Sequence, residues 1–307
     1  MCGCEASLDM SAVDAQRGKP IVRSDRLQAA TANDAVTVVV GSHGVVLVSD
    51  DDARSWKRLV LDGRPPLIDT AACPDGTLLA LGFDQSLWTS TDDAATWSRH
   101  TLPTQESPVA VTCDPDGRYW VIGSFSLLLS SEDHARSWND SSSGEDHILT
   151  SLHFLDASNA VLTAEFGGIY RSRDGGSSWT PAEPIPDEFY PQASLFADNT
   201  RGWVAGLRGT ILHTRDGGLT WTRESTDTQA PLYTLQAIGE RVVATGDHGT
   251  VIVRGTDGHW QRSAAAPVTT AFLADALPLA DGTLLVVGGH GTLARVDLDA
   301  RQAPSAP

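Results

Sequence analysis

The chain has 307 residues, of which 41% are hydrophobic and 20% charged, a composition typical of a globular protein with a sizeable core. The formal net charge of −17 argues against a nucleic acid or an anionic lipid surface as partner. No stretch reaches the ~18 consecutive apolar residues that a membrane span needs, so direct membrane insertion is not expected.

The N-terminal residues 1–19 have neither the basic nor the apolar stretch of a secretory signal, and we expect a flexible arm there. A cytoplasmic location is the default expectation. An extracytoplasmic or lipid-anchored location follows if the true start lies upstream. Cys2 and Cys4 form a C-x-C pair, compatible with a weak metal or thiol site or with Cys2 as a lipidation site, and the sequence leaves these alternatives open.

Two markers recur through the chain with one period. A tryptophan returns about every 41 residues, and a short glycine-rich phrase precedes it in each unit, as in GSHG at Gly41 and GDHG at Gly246. The six tryptophans are Trp56, Trp97, Trp138, Trp179, Trp221 and Trp260, and the glycine-rich phrase continues into a seventh unit. This pattern predicts an all-β fold, a seven-bladed β-propeller.

Each unit is predicted to hold four short strands, because apolar runs alternate with Gly, Asp and Pro clusters. In the second unit the strands are LIDTAAC, TLLALG, SLWTST and WSRHTL. The seventh unit supplies only three strands, so we predict that an N-terminal strand near Pro20–Asp25 completes it and closes the ring. The propeller is expected to span residues 20–299, followed by a short tail at 300–307.

Four cysteines are too few for a disulfide scaffold. Cys73 and Cys113 occupy matching places in neighbouring units. Because adjacent units do not by themselves bring two cysteines within disulfide reach, we predict two buried free thiols.

The phrase before each tryptophan follows the pattern Ser-x-Asp-x-Gly-x-Thr-Trp, which resembles the Asp-box of BNR repeats. Its aspartate can accept backbone N–H groups across the turn, and its tryptophan can pack on the blade. Gly176 and Gly218 can adopt positive φ, whereas Ala53, Ala94 and Ala135 replace glycine in the first three units, so positive φ is not expected to be required there. We interpret the motif as structural; its pairs are Asp51 and Trp56, Asp92 and Trp97, Asp133 and Trp138, Asp174 and Trp179, and Asp216 and Trp221.

Asp-boxes occur in sialidases, other glycoside hydrolases, sortilin-type receptors and the photosystem II assembly-factor family. Over about residues 20–299 the chain resembles the last group, and GWVAGLRGTILHTRDGGLTW at Gly202–Trp221 is close to the repeat of that family. The resemblance implies a non-enzymatic assembly scaffold that binds a protein partner, such as a membrane-protein complex. No cofactor is expected, and we predict a monomer.

A sialidase-like glycoside hydrolase is the alternative function. Sialidases resemble one another in an arginine triad that includes a Phe/Tyr-Arg-Ile-Pro phrase, and no such phrase precedes Ser49. Glycosidases need two carboxylates ~5–10 Å apart. The predicted innermost strands show a lone Asp69, so no catalytic residues are predicted.

The turns between second and third strands are expected to share one face with the blade-to-blade connections, opposite the Asp-boxes. The third residues of these turns are His43, Asp84, Phe125, Phe166, Arg208, His248 and His290. The three histidines on adjacent blades indicate either a titratable or metal-binding patch or simple tolerance of tight turns, and no metal is predicted because such points are too far apart for one tetrahedral ion. Aromatic and arginine side chains are typical anchors of protein contacts, so this face is the predicted partner-binding face.

The longest connection, PAEPIPDEFYP at Pro181–Pro191, is predicted to lie on the same face beside Arg208. Phe189 and Tyr190 in this loop are partner-binding candidates, because loops on a rigid scaffold often carry recognition residues. The alternative is that the loop folds down as a plug over the channel.

Overall fold

The computed structural model describes residues 18–299; residues 1–17 of the predicted arm and the tail at 300–307 lie outside this range. The described chain forms seven antiparallel sheets, the blades, each with its strands in chain order from innermost to outermost. The innermost strands of neighbouring blades contact one another all the way round, including those of the first and last blades. The predicted seven-bladed β-propeller is therefore confirmed.

The strands of the first four blades have the following bounds. Blade 1 holds β1 (Leu27–Ala32), β2 (Thr37–Gly41), β3 (Val45–Ser49) and β4 (Lys57–Val60); blade 2 holds β5 (Leu67–Ala72), β6 (Leu78–Gly82), β7 (Ser86–Ser90) and β8 (Ser98–Thr101). Blade 3 holds β9 (Pro108–Cys113), β10 (Tyr119–Gly123), β11 (Leu128–Ser131) and β12 (Asn139–Asp140); blade 4 holds β13 (Leu149–Phe154), β14 (Ala160–Ala164), β15 (Ile169–Ser172) and β16 (Thr180–Pro181).

The remaining blades follow the same order, except that blade 7 has three strands within the described range. Blade 5 holds β17 (Ala193–Phe196), β18 (Gly202–Ala205), β19 (Ile211–Thr214) and β20 (Thr222–Glu224); blade 6 holds β21 (Leu232–Ile238), β22 (Arg241–Gly246), β23 (Val251–Arg254) and β24 (Trp260–Arg262). Blade 7 holds β25 (Leu273–Pro278), β26 (Leu284–Gly288) and β27 (Leu293–Val296). Short 3-10 turns stand at Ser42–Gly44, Glu165–Gly167, Leu207–Gly209 and Gly289–Gly291, and no helix among residues 18–299 has the length and apolar character to cross a membrane.

The hydrophobic core is divided among the interfaces between blades. The second strand of a blade is an almost unbroken apolar run, as in TVVVG (β2) and LLVVG (β26), and every residue of both is buried, as expected for a strand covered on two sides. At one interface Val38 and Val46 of blade 1 pack with Leu78 and Ala80 of blade 2. Each blade is therefore stabilised by its two neighbours, and ring closure matters for stability.

The turns between third and fourth strands, here called the aspartate turns, are organised by one carboxylate each. Asp174 Oδ1 accepts the Ser172 hydroxyl (2.8 Å) and the Ser178 N–H (2.9 Å), and its Oδ2 accepts the Ser178 hydroxyl (2.6 Å). These hydrogen bonds, that from the Ser178 hydroxyl first, lower the pKa of Asp174 to about 2. The turn is thus held by the charged carboxylate, as the motif predicted.

The aspartate turns require a left-handed backbone at the position where the sequence analysis did not expect it. Gly176 has φ of 85°, and Ala53, Ala94 and Ala135 at the equivalent position have φ of 60°, 64° and 65°. The prediction for the three alanines was wrong, because the hydrogen bonds to the aspartate impose one turn geometry on the first five units. Left-handed alanine costs about 1 kcal/mol or more, which the local hydrogen bonds offset.

The tryptophan that ends each aspartate turn packs into the interface with the preceding blade. Trp97 of blade 2 packs on a cluster that includes Val38 and Val46 of blade 1, and Trp179 of blade 4 packs on one that includes Ile122 of blade 3. Both indoles are half-buried. The recurring tryptophan therefore joins neighbouring blades, which explains why it repeats through blades 1 to 6.

Cys73 and Cys113 form a disulfide, so the prediction of two free thiols was wrong. Cys73 directly follows β5 and Cys113 ends β9, which are the innermost strands of neighbouring blades. Innermost strands approach one another most closely because the ring narrows toward its axis. The two Cα atoms are 5.2 Å apart, within the usual range for a disulfide.

The prediction of a strand at Pro20–Asp25 was also wrong, because this segment forms a turn. The Asp25 N–H donates to the Val22 carbonyl (2.9 Å), and the buried Asp25 carboxylate accepts the Val22 N–H (2.9 Å). Arg58 pairs with the same carboxylate (2.8 and 3.0 Å). A buried, paired carboxylate folds the segment back on itself, so it cannot extend along β27.

Candidate functional site

The two faces of the ring carry different kinds of loop. On one face, the turns between second and third strands touch the blade-to-blade connections, as where the Gly44 N–H donates to the Pro65 carbonyl (2.7 Å). We call this the turn face. On the other, the aspartate face, turns between first and second strands touch the aspartate turns, as where Asn33 donates to Asp93 (3.0 Å). The predicted division of loops between the faces is therefore present.

All seven turn residues singled out from the sequence are exposed on the turn face: His43, Asp84, Phe125, Phe166, Arg208, His248 and His290. Six of them have a left-handed backbone, with φ between 52° and 62°. Asp84 differs, since Gln85 takes the left-handed position in its turn while Asp84 accepts the Ser86 hydroxyl (2.6 Å).

Four exposed apolar side chains stand on consecutive blades of the turn face and form what we call the apolar arc. They are Phe83 on blade 2 (53% exposed), Phe125 on blade 3 (47%), Phe166 on blade 4 (57%) and Leu207 on blade 5 (54%). Phe125 and Phe166 were predicted from the sequence, whereas Phe83 and Leu207, which precede the third turn position, were not. The signal was available, because both are large apolar residues inside a short turn.

From blade 5 through blades 6, 7 and 1, the turns of this face carry Arg208, His248, His290 and His43, and the connection before β25 carries the exposed Val268. His248 Nδ1 lies 3.2 Å from an Asp247 carboxylate oxygen, and Arg208 forms no ion pair within the described range. Among residues 18–299, no three His, Cys, Asp or Glu side chains converge as metal ligands, so the three histidines are not brought together around an ion.

Phe189 and Tyr190 lie beside the apolar arc but are not free side chains. Both are half-buried, and Phe189 packs on the core cluster that includes Ile169 and Phe196. A Cβ on Gly206, at the start of the turn that carries Arg208, would lie only 2.9 Å from the Phe189 ring. The loop is therefore anchored next to Arg208, as predicted, and its aromatic residues also support the core.

Two carboxyl side chains face the central channel, not the lone Asp69 of the sequence analysis. Asp69 of β5 accepts the Val111 N–H of β9 (2.8 Å), and Asp275 of β25 accepts the Ala30 N–H of β1 (2.9 Å). Each carboxyl thus joins its own blade to the next one. Burial raises the pKa of Asp69 to about 7, with a further rise from the Asp275 charge, and burial raises the pKa of Asp275 to about 6.

We expect the melting temperature of Asp69→Asn to depend less on pH between about 4 and 7 than that of the wild type. A carboxyl whose pKa is higher in the folded state than its ordinary value stabilises the fold fully below about pH 4, and this contribution is lost as the pH rises through about 7. The measurement is a series of thermal melts across this range. Asp62→Asn, at an exposed carboxyl, is the control, and equal pH slopes for all three proteins would contradict the assignment.

A cavity of about 780 Å³ opens on the aspartate face at the mouth of the channel. Its wall includes Asn33, the Cys73–Cys113 disulfide and His153. His153 is hydrogen-bonded to Ser194 (2.9 Å), and burial lowers its pKa to about 4, so the ring is neutral at neutral pH. Four aspartates also line the cavity: Asp34, Asp75, Asp93, which accepts the Asn33 amide (3.0 Å), and Asp114, which pairs with Arg118 (2.6 Å).

A buried charge cluster fills the interface between blades 5 and 6. Glu224 accepts hydrogen bonds from the Trp260 indole (2.8 Å) and from Arg254 (2.5 and 2.9 Å), and His213 Nδ1 lies 3.2 Å from its Oε1. His213 stacks on Trp203 with ring centroids 4.5 Å apart. Burial raises the pKa of Glu224, but the bonds from Arg254 and Trp260 outweigh it, so the pKa lies below its ordinary value. The cluster pairs every charge that it buries.

The fold and its faces define a seven-bladed repeat propeller with an exposed apolar arc on one face. No family model matches the chain. It is 28% identical over 142 residues to the photosystem II assembly lipoprotein Ycf48 of Synechococcus sp. (strain CC9902), covering 45% of this chain and 43% of the relative. It is 28% identical over 136 residues to the chloroplastic photosystem II stability/assembly factor HCF136 of Oryza sativa subsp. japonica, covering 41% of this chain and 32% of the relative. The matches thus span less than half the length of these curated relatives.

Solved structures share the fold over nearly the whole described chain. Ycf48 bound to a D1 peptide aligns with a TM-score of 0.73 at 16% identity, covering 91% of this chain and 93% of the other. Ycf48 from Cyanidioschyzon merolae aligns with a TM-score of 0.72 at 17% identity, covering 89% and 96%. A catalytically inactive virginiamycin B lyase from Staphylococcus aureus aligns with a TM-score of 0.75 at 12% identity, covering 89% and 95%. At these identities the likeness concerns the fold alone.

Proposed function

We propose that this propeller is a non-enzymatic scaffold that binds a polypeptide partner on its turn face, in the assembly of a larger protein complex. The observation that carries the proposal is the apolar arc of Phe83, Phe125, Phe166 and Leu207 on four consecutive blades. Large apolar side chains left exposed on four neighbouring blades of one face favour a contact site there. Blade 5, the last blade of the arc, also supplies Arg208, a residue type common in protein interfaces.

Backbone conformation supports a binding role for the two phenylalanines. Phe125 and Phe166 have φ of 52° and 57°. A left-handed backbone is uncommon for a bulky residue and costs about 1 kcal/mol or more, whereas glycine or asparagine would adopt it at less cost. Neither ring is buried in the core, so folding does not explain their presence, but recognition does.

The relatives support the same class of function. Both curated relatives are named as photosystem II assembly factors, and a solved propeller of the same fold is Ycf48 bound to a peptide. A membrane-protein complex is therefore the kind of partner we propose, bound by a monomeric propeller without nucleic acid or cofactor. The disulfide supports a location in an oxidising compartment, since disulfides persist there and are rare in the cytosol.

We expect Phe166→Ala and Arg208→Ala to reduce capture of the partner from native extracts by roughly tenfold or more, because truncating an interface anchor typically costs about 2 kcal/mol. Their melting temperatures should stay close to that of the wild type, since both side chains are exposed. The measurement is quantitative mass spectrometry of proteins captured from separate extracytoplasmic and cytoplasmic fractions.

Leu219→Ala is the matched control, because Leu219 is 66% exposed in an aspartate turn on the opposite face. If Leu219→Ala loses the partner while the turn-face variants retain it, the wrong face has been assigned. A partner present only in the cytoplasmic fraction would contradict the proposed location. Phe189→Ala is a poorer probe than Phe166→Ala, since its ring also packs on the core.

A glycoside hydrolase remains the alternative, and the second channel carboxyl, Asp275, is the observation in its favour. Both channel carboxyls, however, accept backbone N–H groups of the next blade, which gives them a structural role. Turnover of any substrate in a fluorogenic glycoside panel, abolished by Asp69→Asn or Asp275→Asn, would contradict the non-enzymatic scaffold.

A further inference from the structure

The apolar arc is bordered by acidic side chains of the same face. The blade-to-blade connections between its four blades are residues 102–107, 141–148 and 182–192, and they contain no lysine or arginine. The turns that carry the three phenylalanines of the arc contain none either. Six acids of these segments, which we call the acidic rim, are Asp84, Glu106, Glu145, Asp146, Asp187 and Glu188, and all but Glu106 are exposed.

Hydrogen bonds hold the acidic rim against the turns that carry the arc. On blade 2 the Glu106 carbonyl accepts the side-chain amide of Gln85 (3.4 Å), which lies in the turn of Phe83. On blade 3 the Glu145 carbonyl accepts the hydroxyl of Ser126 (3.1 Å), which directly follows a phenylalanine of the arc. The acids therefore lie between the apolar side chains of neighbouring blades.

Phe166, on blade 4, has members of the rim on both sides. The His147 ring meets it edge-on, with ring centroids 6.1 Å apart, and His147 Nδ1 lies 3.6 Å from the Glu145 carboxylate. On the other side, an N–H of the connection 182–192 donates to the carbonyl of the residue after Phe166 (2.8 Å). That connection carries the last two acids of the rim.

Few cations neutralise the acidic rim. Within residues 18–299, its ion pairs are limited to Asp84 with Arg99 (3.8 Å) and Glu145 with His147, which is charged only when protonated. The connections on either side of blade 1, on the same face, have the reverse balance, so the rim does not simply follow from the net charge of −17. Their exposed charged residues are Lys19, Arg23, Arg26, Arg64 and a single acid, Asp62.

A polypeptide that covers the arc brings its own charges next to these carboxylates. Contact with the four apolar side chains removes water around the rim, so each carboxylate attracts a cation of the partner and repels an anion more strongly. Like charges brought together at the edge of a contact reject a partner, and opposite charges select one. The arc and the rim together therefore favour a partner that is both apolar and basic.

We propose that the apolar arc binds a basic polypeptide segment, in which apolar residues are interspersed with lysine or arginine, and that the acidic rim selects this segment. The apolar residues cover the arc from Phe83 to Leu207, and the cations pair with the rim. This inference rests on the proposed binding function of the turn face and specifies the chemistry of the partner.

Fluorescence anisotropy with the full-length protein and three labelled synthetic peptides tests this chemistry. The peptides have one length and the same leucine positions, and carry lysine, glutamine or glutamate at the other positions. We expect the lysine peptide to bind at least about tenfold more tightly than the glutamate peptide at low salt, and this preference to fall as added salt screens the charges. Phe166→Ala should weaken binding of both the lysine and the glutamine peptide.

Two double variants form a matched pair. Glu145→Gln with Glu188→Gln removes two charges of the rim and should weaken binding of the lysine peptide by about threefold or more, while the glutamine peptide binds unchanged. Glu132→Gln with Glu240→Gln removes two exposed charges on the aspartate face and should change the binding of neither peptide. Both variants change the net charge equally, so only the position of the charges differs.

Two kinds of failure are distinguishable. If the glutamate peptide binds as tightly as the lysine peptide and Phe166→Ala still weakens it, the partner is not basic, but polypeptide binding at the arc stands. Binding of the lysine peptide that neither Phe166→Ala nor the rim variant weakens, or no binding up to about 1 mM, would overturn the assignment to the arc. The scaffold function itself is decided by the capture from native extracts, which uses no designed peptide.

Discussion

Replacing Glu224 by alanine is expected to lower the free energy of unfolding by about 3–5 kcal/mol, the usual cost of removing one partner from a buried ion pair. The Glu224 side chain is 8% exposed, and Arg254 is 17% exposed. Without the carboxylate, Arg254 keeps a charge with little water around it, and the fully buried Trp260 loses the acceptor of its indole N–H. Urea unfolding at an unchanged m-value measures the loss directly.

Glu183→Ala is the control for this experiment, because Glu183 is an exposed carboxylate on the connection between blades 4 and 5. It should change the free energy of unfolding by less than about 0.5 kcal/mol. The loss of unfolding free energy for Glu224→Gln should lie between those of Glu224→Ala and Glu183→Ala. An amide oxygen can still accept the Trp260 N–H but carries no charge to pair with Arg254. A loss below about 1 kcal/mol for Glu224→Ala would mean that the cluster behaves as a surface ion pair.

The second large effect is expected at the aspartate turns, where Trp179→Ala should lower the free energy of unfolding by about 3 kcal/mol. Trp179 packs on the cluster shared by blades 3 and 4, which includes Trp120 and Leu162. Its removal leaves a gap between two blades that the rigid strands cannot close. Urea unfolding again provides the measurement.

Leu219→Ala serves as the comparison, because Leu219 lies in the aspartate turn of the next blade but is exposed. Trp260→Ala should lower the free energy of unfolding by more than Trp179→Ala does, since the Trp260 ring is fully buried and hydrogen-bonded to Glu224. Equal stability of Trp179→Ala and Leu219→Ala would show that the recurring tryptophan does not join the blades.

The difference between these two tryptophans shows how far the repeat could be read from the sequence. Trp179 and Trp260 recur in one period, so the sequence predicts the same place for both. In the sixth unit the turn is shorter, and the Trp260 ring is fully buried in the interface between blades 5 and 6. Its N–H therefore needs an acceptor there. Glu224 of blade 5 accepts that N–H, and Arg254 of blade 6 pairs with the same carboxylate. A contact between blades leaves no local pattern in the sequence.

The predicted binding face was likewise only partly readable from the sequence. The identity of Phe166 and Arg208 as turn residues followed from the repeat, because turn chemistry is local. Phe83 and Leu207 stand one position earlier in turns of the same kind, and the structure shows that both are exposed there. Asp275 holds in β25 the same third place that Asp69 holds in β5, but the two acids meet in one channel only because the ring closes.

The sequence by itself determined the number of blades, the approximate strand positions and the chemistry of the aspartate turns, because each of these depends on residues close together in the chain. Only the tertiary structure decided that Cys73 and Cys113 are joined, that Pro20–Asp25 forms a turn, and that two acids share the channel. These features arise where neighbouring blades meet. The distance between blades depends on the curvature of the closed ring, which no single repeat contains.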